Sequence, residues 1–271
     1  MTKDTLRLVS WNINSIRLRL PNVEAFVAAE APDILCFQEI KCQTAEFPEK
    51  AFKQMGLPHL AVFGQKGGHH GVAIASREPI EVMDPAPLCR EGHARVNSIK
   101  VAGLELHNIY LPAGGDVPDP DANPKFAHKL DFVGKLGKHF KKSVKDDQPR
   151  VLVGDLNIAP HPNDVWSHKQ LLKIVSHTPV ETEALEKARQ AGAFTDLARH
   201  IHDEDQRLYS WWSYRARDWA ASNKGRRLDH IWSNKAATPL VDMESYRIHL
   251  GWRGGWKPSD HAPISIAIKP A

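Results

Sequence analysis

A disulfide framework is the first thing this sequence lacks. It has three cysteines, Cys36, Cys42 and Cys89, an odd number with neither a CxxC pair nor zinc-type spacing to histidine. That excludes a disulfide-stapled secreted scaffold, and the thiols read as buried or incidental in a reducing compartment. Long apolar runs are missing too, since nothing approaches the roughly 20 apolar residues that a bilayer-spanning helix needs. No low-complexity linker divides the chain, and no short-period repeat suggests a solenoid. Charge of one sign is scarce: the formal excess is +4, with 15 histidines uncounted. Such a balance is compatible with an anionic partner without demanding one. The opening residues MTKDTLRLVSWN run directly into a strand-like segment, so no signal or transit peptide is expected and the cytoplasm is the expected location.

What remains is the composition of a soluble globular protein with a sizeable core: 271 residues, 42% hydrophobic and 25% charged, with eight tryptophans whose positions carry information. Short apolar runs at 6–11, 33–38, 71–76, 104–111, 151–155, 228–232 and 263–268 predict strands. Helices are predicted at about 21–30, 48–55, 123–142 and 181–191, the third opened by Asn123 and Pro124 as cap and first-turn residue. Turn residues crowd 64–71, 112–124 and 253–260. Strands with helices between them point to a layered α/β protein.

Several of these strands end in polar residues that suit metal or phosphate chemistry. The first ends in Asn12, the second reaches Glu39, and LHNIYLP reaches Tyr110. VLVGDLN ends in Asp155 and Asn157, RRLDHIW carries Asp229, and Asp260 and His261 precede the last strand. Residues i and i+2 of a strand share a face, so Asp155 and Asn157 should point the same way. Asp and Asn also end strands simply as turn residues, but that account fits poorly with so many apolar runs ending alike. If the ends converge, Glu39, Asp155 and Asp260 bring three carboxylates into one cleft, and at least one pKa must rise unless a cation sits among them. Carboxylate and amide oxygens without thiols select a hard ion, Mg²⁺ or Mn²⁺ rather than zinc. Asp229 beside His261 would raise the histidine's pKa and fix its tautomer. Together these parts suit metal-assisted phosphodiester hydrolysis.

The blocks SWNIN (10–14), PDILCFQEIK (32–41), GQKGGHHGVAIAS (64–76), NIYLPAGG (108–115), VLVGDLNIAP (151–160), RRLDHIW (226–232) and KPSDHAPI (257–264) stand in order along the chain. In that order they resemble the exonuclease III / abasic-site endonuclease family of the endonuclease–exonuclease–phosphatase superfamily, across nearly the whole chain. QEIK, YLPAGG and KPSDHAP resemble its DNA-repair branch. The resemblance implies a four-layered α/β sandwich, two facing mixed β-sheets flanked by helices, as a single catalytic domain over 1–271. It implies one or two Mg²⁺ or Mn²⁺ ions held among Asn12, Glu39, Asp155, Asn157, Asp260 and His261. It also implies Tyr110, Asp155, Asn157, Asp229 and His261 as the catalytic set, the Asp of GDLN being the usual candidate for activating water.

The stretch YSWWSYRARDWAASNKGRR (209–227) sets Trp211 and Trp212 ahead of Arg215, Arg217, Lys224, Arg226 and Arg227. Aromatic surfaces can wedge against bases and sugars while arginines contact phosphates; the same residues also suit a core tryptophan and a solvated loop. In the family this region lines the pocket for an extrahelical abasic sugar. Trp252, Arg253, Trp256 and Lys257 are expected beside it at the substrate cleft. By contrast Lys135, Lys138, Lys141, Lys142 and Lys145 read as the wet face of a helix. Two features depart from the family pattern, Asp116 in an acidic loop and Arg226 where some abasic endonucleases place a large apolar residue; 161–185 lies where the family varies its pocket, and a bulky His168 or His177 there is able to block an extrahelical sugar. The expected activity is hydrolysis of duplex DNA, by 5′ incision at abasic sites and by 3′-end exonuclease, phosphatase or phosphodiesterase action, carried out by a monomer with no membrane contact. The alternative is a relative acting on 3′ ends only, on RNA or on a small phosphoester. An inactive DNA-binding module is disfavoured by the complete polar set.

Overall fold

The computed structural model describes residues 4–216 and 218–271. Arg217, expected among the DNA-facing arginines, lies outside them. The strands of the first half are β1 (Leu6–Asn12), β2 (Ile34–Gln38), β3 (His59–Phe63), β4 (Val72–Ser76), β5 (Ile80–Met83), β6 (Val96–Val101) and β7 (Leu104–Tyr110). Those of the second half are β8 (Arg150–Asp155), β9 (Phe194–Asp196), β10 (Trp211–Trp212), β11 (Gly225–Arg226), β12 (Asp229–Asn234), β13 (Val241–Ile248) and β14 (Ile264–Ile268). The helices are α1 (Leu20–Glu30), α2 (Glu49–Gln54), α3 (Pro124–Lys141), α4 (His168–Leu171), α5 (Pro179–Ala191), α6 (Leu197–Ile201) and α7 (Trp219–Ser222).

Two mixed six-stranded sheets result, ordered β13-β14-β1-β2-β4-β3 and β5-β6-β7-β8-β12-β9. Their inner faces share one apolar layer, in which Leu8, Ile34 and Ile74 of the first sheet meet Leu106, Val153 and Ile231 of the second. Helices α1 and α2 cover the outside of the first sheet through Phe26 and Phe52; α3 and α5 cover the second through Phe132, Leu136 and Leu185. This is the four-layered arrangement the sequence predicts. Asn123 caps α3 by accepting from the Lys125 amide at 3.1 Å, with Pro124 in the first turn. Lys138, Lys141, Lys142 and Lys145 are exposed, as expected for a wet face, and Lys135 pairs with Asp131 at 2.9 Å.

Register does the positioning. Each sheet has one parallel pair at its centre, β1 with β2 and β7 with β8. In the second sheet Tyr110 pairs with Asp155, and Asp155 pairs with Asp229 on antiparallel β12, so three polar strand ends stand side by side in one row. In the first sheet Asn12 pairs with Gln38, which places Glu39 one residue beyond the ladder. Both central pairs therefore deliver their strand ends to the same edge of the sandwich.

Toward that edge the inter-sheet layer turns polar. Gln38 donates to Asn108 Oδ1 at 2.7 Å, and Asn108 donates onward to Asn97 Oδ1 at 3.0 Å and to the Phe37 carbonyl at 3.0 Å. Buried amides linked in this way pin the spacing of the two sheets behind the cleft, although Gln38 Oε1 itself finds no partner.

Candidate active site

Asp155 ends β8 directly after Gly154, which is still in the ladder, paired with Ile109 and His230. A β-carbon at Gly154 would lie 1.9 Å from the Ile109 carbonyl oxygen, and its φ of +140° is one L side chains rarely adopt. Beyond it Asn157 sits in the left-handed region at φ 51°, as do Asn14 (46°), Glu39 (51°) and Lys41 (49°). These left-handed residues turn the chain sharply at the ends of β1, β2 and β8.

Asp155 lies at the centre and is buried. Its Oδ1 accepts from the Asn157 amide at 2.9 Å; its Oδ2 accepts from Asn157 Nδ2 at 3.1 Å and from Asn12 Nδ2 at 2.8 Å. The Asn12 amide nitrogen also donates to Glu39 Oε1 at 3.0 Å, bridging the two carboxylates. Glu39 Oε1 accepts from the Tyr110 hydroxyl at 2.8 Å, while Glu39 Oε2 pairs with Lys41 Nζ at 2.8 Å. His261 approaches from the other side. Its Nδ1 is 2.8 Å from Asp229 Oδ2, which also accepts from Ser210 Oγ at 2.6 Å, and its Nε2 is 3.7 Å from Asp155 Oδ2. Asp260 accepts from Asn14 Nδ2 at 2.9 Å and from Trp211 Nε1 at 3.0 Å.

Charge follows geometry. Burial opposes the imidazolium of His261, but Asp229 and Asp155 outweigh it and push its pKa up to about 10. His261 is therefore a cation at neutral pH, with Nδ1–H committed to Asp229 and Nε2–H directed toward the cleft. Burial raises Asp155 to about 7, with Asp229 and Glu39 adding to it and His261 opposing. Glu39 is held low because Lys41 and Asn12 outweigh its burial, and Asp260 is held low by His261 and its two side-chain donors. Burial, Glu39 and Asp155 keep the Tyr110 phenol protonated.

Four carboxylates, Glu39, Asp155, Asp229 and Asp260, thus crowd around Lys41 and His261, and Asp155 is raised to about 7. A divalent cation would relieve that crowding. The oxygen donors are carboxylates and amides with no thiol, which suits a hard ion. Among the described residues, Asp155, Asp229 and His261 form the group whose donor atoms lie within 4.8 Å of one another. Glu39, expected with them, stands across the Asn12 bridge.

From these residues opens a cavity of about 780 Å³. Trp211, Trp212, Arg215 and Arg226 line it as expected, joined by Trp166 and Leu228. Trp212 is buried and Trp211 half-buried, and the Arg226 guanidinium lies 5.3 Å over the Trp211 ring. Other expectations need correction. Arg227 faces inward, fully buried between Asp164 and Asp196 at 2.8 Å each. Trp256 and Lys257 lie outside the cavity lining, Trp256 57% exposed with the Lys257 ammonium 5.0 Å over its ring. Trp252 packs on Phe26, and Arg253 is buried behind the wall with its guanidinium donating to the Trp212 carbonyl. His168 and His177 do not obstruct: they bond each other at 2.8 Å, and His177 is anchored on the Ala159 carbonyl. Asp116 does line the cavity.

Sequence reasoning missed Asn14 and Lys41, although SWNIN and QEIK contain them. It also missed Lys129, fully buried on α3. The Lys129 ammonium pairs with Glu181 at 2.5 Å and donates to the carbonyls of Asn157 at 2.8 Å and Ala113 at 3.2 Å. Glu181 in turn accepts from the Ser176 and Thr178 amides. One buried ion pair so ties together the three loops that frame the cleft.

Two sheets delivering an oxygen-rich polar cluster and a cationic imidazole to one edge define a phosphoesterase that works with a metal. Residues 9–261 match the Endonuclease/Exonuclease/phosphatase family, and the chain belongs to that family of divalent-metal-dependent hydrolases. It is 31% identical over 279 residues to exodeoxyribonuclease III of Haemophilus influenzae, covering 97% of this chain and all of the relative. Among solved structures it resembles the 3′ phosphatase NExo from Neisseria bound to a product DNA hairpin, with TM-score 0.87, 29% identity and 97% and 99% of the two chains covered. An AP endonuclease from Archaeoglobus fulgidus is similar as well, with TM-score 0.86, 32% identity and 98% and 100% coverage.

Proposed function

We propose that this protein is a DNA repair nuclease that hydrolyses phosphodiesters in duplex DNA, incising 5′ to abasic sites and cleaning or shortening 3′ ends. It works as one catalytic unit over 1–271, as a cytoplasmic monomer, with one or two Mg²⁺ or Mn²⁺ ions. The exonuclease, phosphatase and AP endonuclease relatives support the substrate class. The observation that carries the reading is the unobstructed cavity opening directly from Asp155 and His261. Its walls are Trp211, Trp166 and Leu228, and the Arg226 guanidinium is tied back to the Val175 carbonyl and Ser176 Oγ at 3.0 and 2.7 Å. A sugar turned out of the helix needs such a recess, part aromatic and part polar, beside the scissile phosphate.

The residues take complementary roles. Asp155, aimed by Asn157 and Asn12, accepts the proton of the attacking water. The His261 Nε2–H donates to a phosphate oxygen as charge builds there, and Asp229 holds the ring in that orientation. Tyr110, kept protonated, is a second donor at the cleft. Glu39, Asp155, Asn157 and Asp260, with Asn12 beside them, would hold the metal, which would supply polarisation of the phosphate, while His261, protonated on both nitrogens, serves as donor rather than ligand. Arg215 and, at the exposed flank, Trp256 and Lys257 receive the DNA backbone, with buried Trp212 supporting the wall behind them.

One gel assay tests this. Duplexes carrying an abasic site, a 3′-phosphate or a recessed 3′ end are incubated with wild type and with Asp155→Ala, each with Mg²⁺ and with EDTA. Wild type should cleave with Mg²⁺ and stop with EDTA, and Asp155→Ala should be inert. If wild type leaves all three duplexes intact, or Asp155→Ala keeps pace with it, the reading fails.

A further inference from the structure

The cavity that opens from Asp155 and His261 carries a charge of its own. Away from the metal cluster its lining holds three cations, Arg215, Lys224 and Arg226, against one carboxylate, Asp116. Two of the cations lie on indoles instead of carboxylates: Arg226 is 5.3 Å over Trp211 and Lys224 is 4.7 Å over Trp166.

Arg226 is the more firmly placed. It stands opposite Trp211 in the β10–β11 ladder, and the Ser210 amide donates to its carbonyl at 2.9 Å. Its Nη1 is spent on the Val175 carbonyl at 3.0 Å and Ser176 Oγ at 2.7 Å. Its Nε is buried without a partner, and Nη2 makes no hydrogen bond among the described residues. Nε and Nη2 form one edge of the planar guanidinium, the two-donor edge that matches a carboxylate or phosphate. Burial lowers the Arg226 pKa from the ordinary arginine range, and Glu181, the carboxylate that opposes this, is already held by Lys129 at 2.5 Å. A half-buried guanidinium with a free two-donor edge is an unfavourable arrangement until an oxyanion docks on it.

The chemistry of a nucleic-acid strand says which oxyanion. A residue lodged in the recess hangs by its 5′ oxygen from the scissile phosphate at Asp155 and His261. Its sugar and base are neutral, so the one further oxyanion it carries is the phosphate on its 3′ side. We propose that the Nε–Nη2 edge of Arg226 binds this second phosphate, with Lys224 adding positive potential to the same wall. The site thereby favours a residue inside a strand over one that ends in a 3′-hydroxyl. The assignment rests on the nuclease function proposed for the cleft.

Two matched duplexes test it, each with one internal abasic site. In one the phosphate on the 3′ side of the site is natural, and in the other it is a neutral methylphosphonate. With Mg²⁺, wild type should show kcat/KM about tenfold or more lower on the methylphosphonate duplex, the scale of one charge-assisted pair. Arg226→Leu should cut the two at nearly equal rates, and Arg226→Lys, which keeps the charge but loses the fork, should fall between. A binding measurement separates this site from the nuclease function. In EDTA, quenching of tryptophan fluorescence gives Kd for thymidine 5′-phosphate and for thymidine 3′,5′-bisphosphate. Wild type should bind the bisphosphate about tenfold or more tighter, and Arg226→Leu should bind the two about equally. A wild type indifferent to the methylphosphonate, or an Arg226→Leu variant that keeps the full preference for the bisphosphate, would overturn the proposal. If no duplex is cut but the bisphosphate preference appears and depends on Arg226, the second phosphate site stands and the nuclease function alone fails.

Discussion

His261 concentrates the electrostatics of the cleft in one side chain. Asp229 and Asp155 flank it closely enough to keep it charged although it is buried. A buried cation aimed at a phosphate is a preorganised donor, and losing one such donor costs about 10²–10³ in turnover. His261→Ala should therefore lose about that much kcat on abasic duplex while its Kd for the duplex stays near wild type. Steady-state kinetics beside a gel-shift titration read the two quantities separately. Unchanged turnover would remove His261 from the mechanism.

At the level of elements, β8 shows why the site is legible in the sequence. An apolar strand ending in Gly-Asp-x-Asn leaves the carboxylate and amide with no core to enter, so the strand presents them at its end. The same logic finds Asn12, Glu39, Tyr110, Asp229, Asp260 and His261, all of which follow, end or border apolar runs. Gly154→Ala tests the local geometry, since its β-carbon would press on the Ile109 carbonyl across the parallel β7–β8 pair. The variant should lose about 1–3 kcal/mol or more in chemical denaturation, and its activity should fall further than its folded fraction because Asp155 is displaced. An unaltered denaturation midpoint would show that the close approach to Ile109 does not constrain the strand.

Elements with weaker local signals are not legible in this way. β5 is half-exposed at an edge, β6 interrupts its apolar residues with Asn97, Ser98 and Lys100, and β13 carries charges at alternate positions. Long-range pairs leave no local trace at all. Arg227 sits in a basic stretch that looks solvated, yet its partner Asp164 is 63 residues away. Lys129 and Glu181 are 52 apart.

For the whole molecule, the Arg227 network governs how the fold responds to acid. Its guanidinium joins Asp164, in the turn before α4, to Asp196, at the end of β9, and Arg199 reinforces Asp164 from α6. Burial alone would raise both carboxyls, but Arg227 outweighs it and holds each below the usual carboxylate range. Unfolded aspartates titrate near pH ~3.9, so in this range the unfolded chain takes up more protons than the folded one. The stabilisation from the network is therefore full above about pH 4 and drains as acid approaches the lower folded pKa values, at up to about 1.4 kcal/mol per pH unit per proton. Arg227→Met should reverse that slope near neutrality. With the guanidinium gone, Asp164 keeps Arg199 but Asp196 is left buried without its arginine partner, at a cost of about 3–5 kcal/mol. Its folded pKa then lies above the unfolded one, so the variant's stability should rise more steeply than that of wild type as pH falls from 7 toward 5. Urea denaturation followed by circular dichroism at pH 7, 6, 5 and 4 compares the two chains directly. Parallel profiles would mean that the network does not set the acid response.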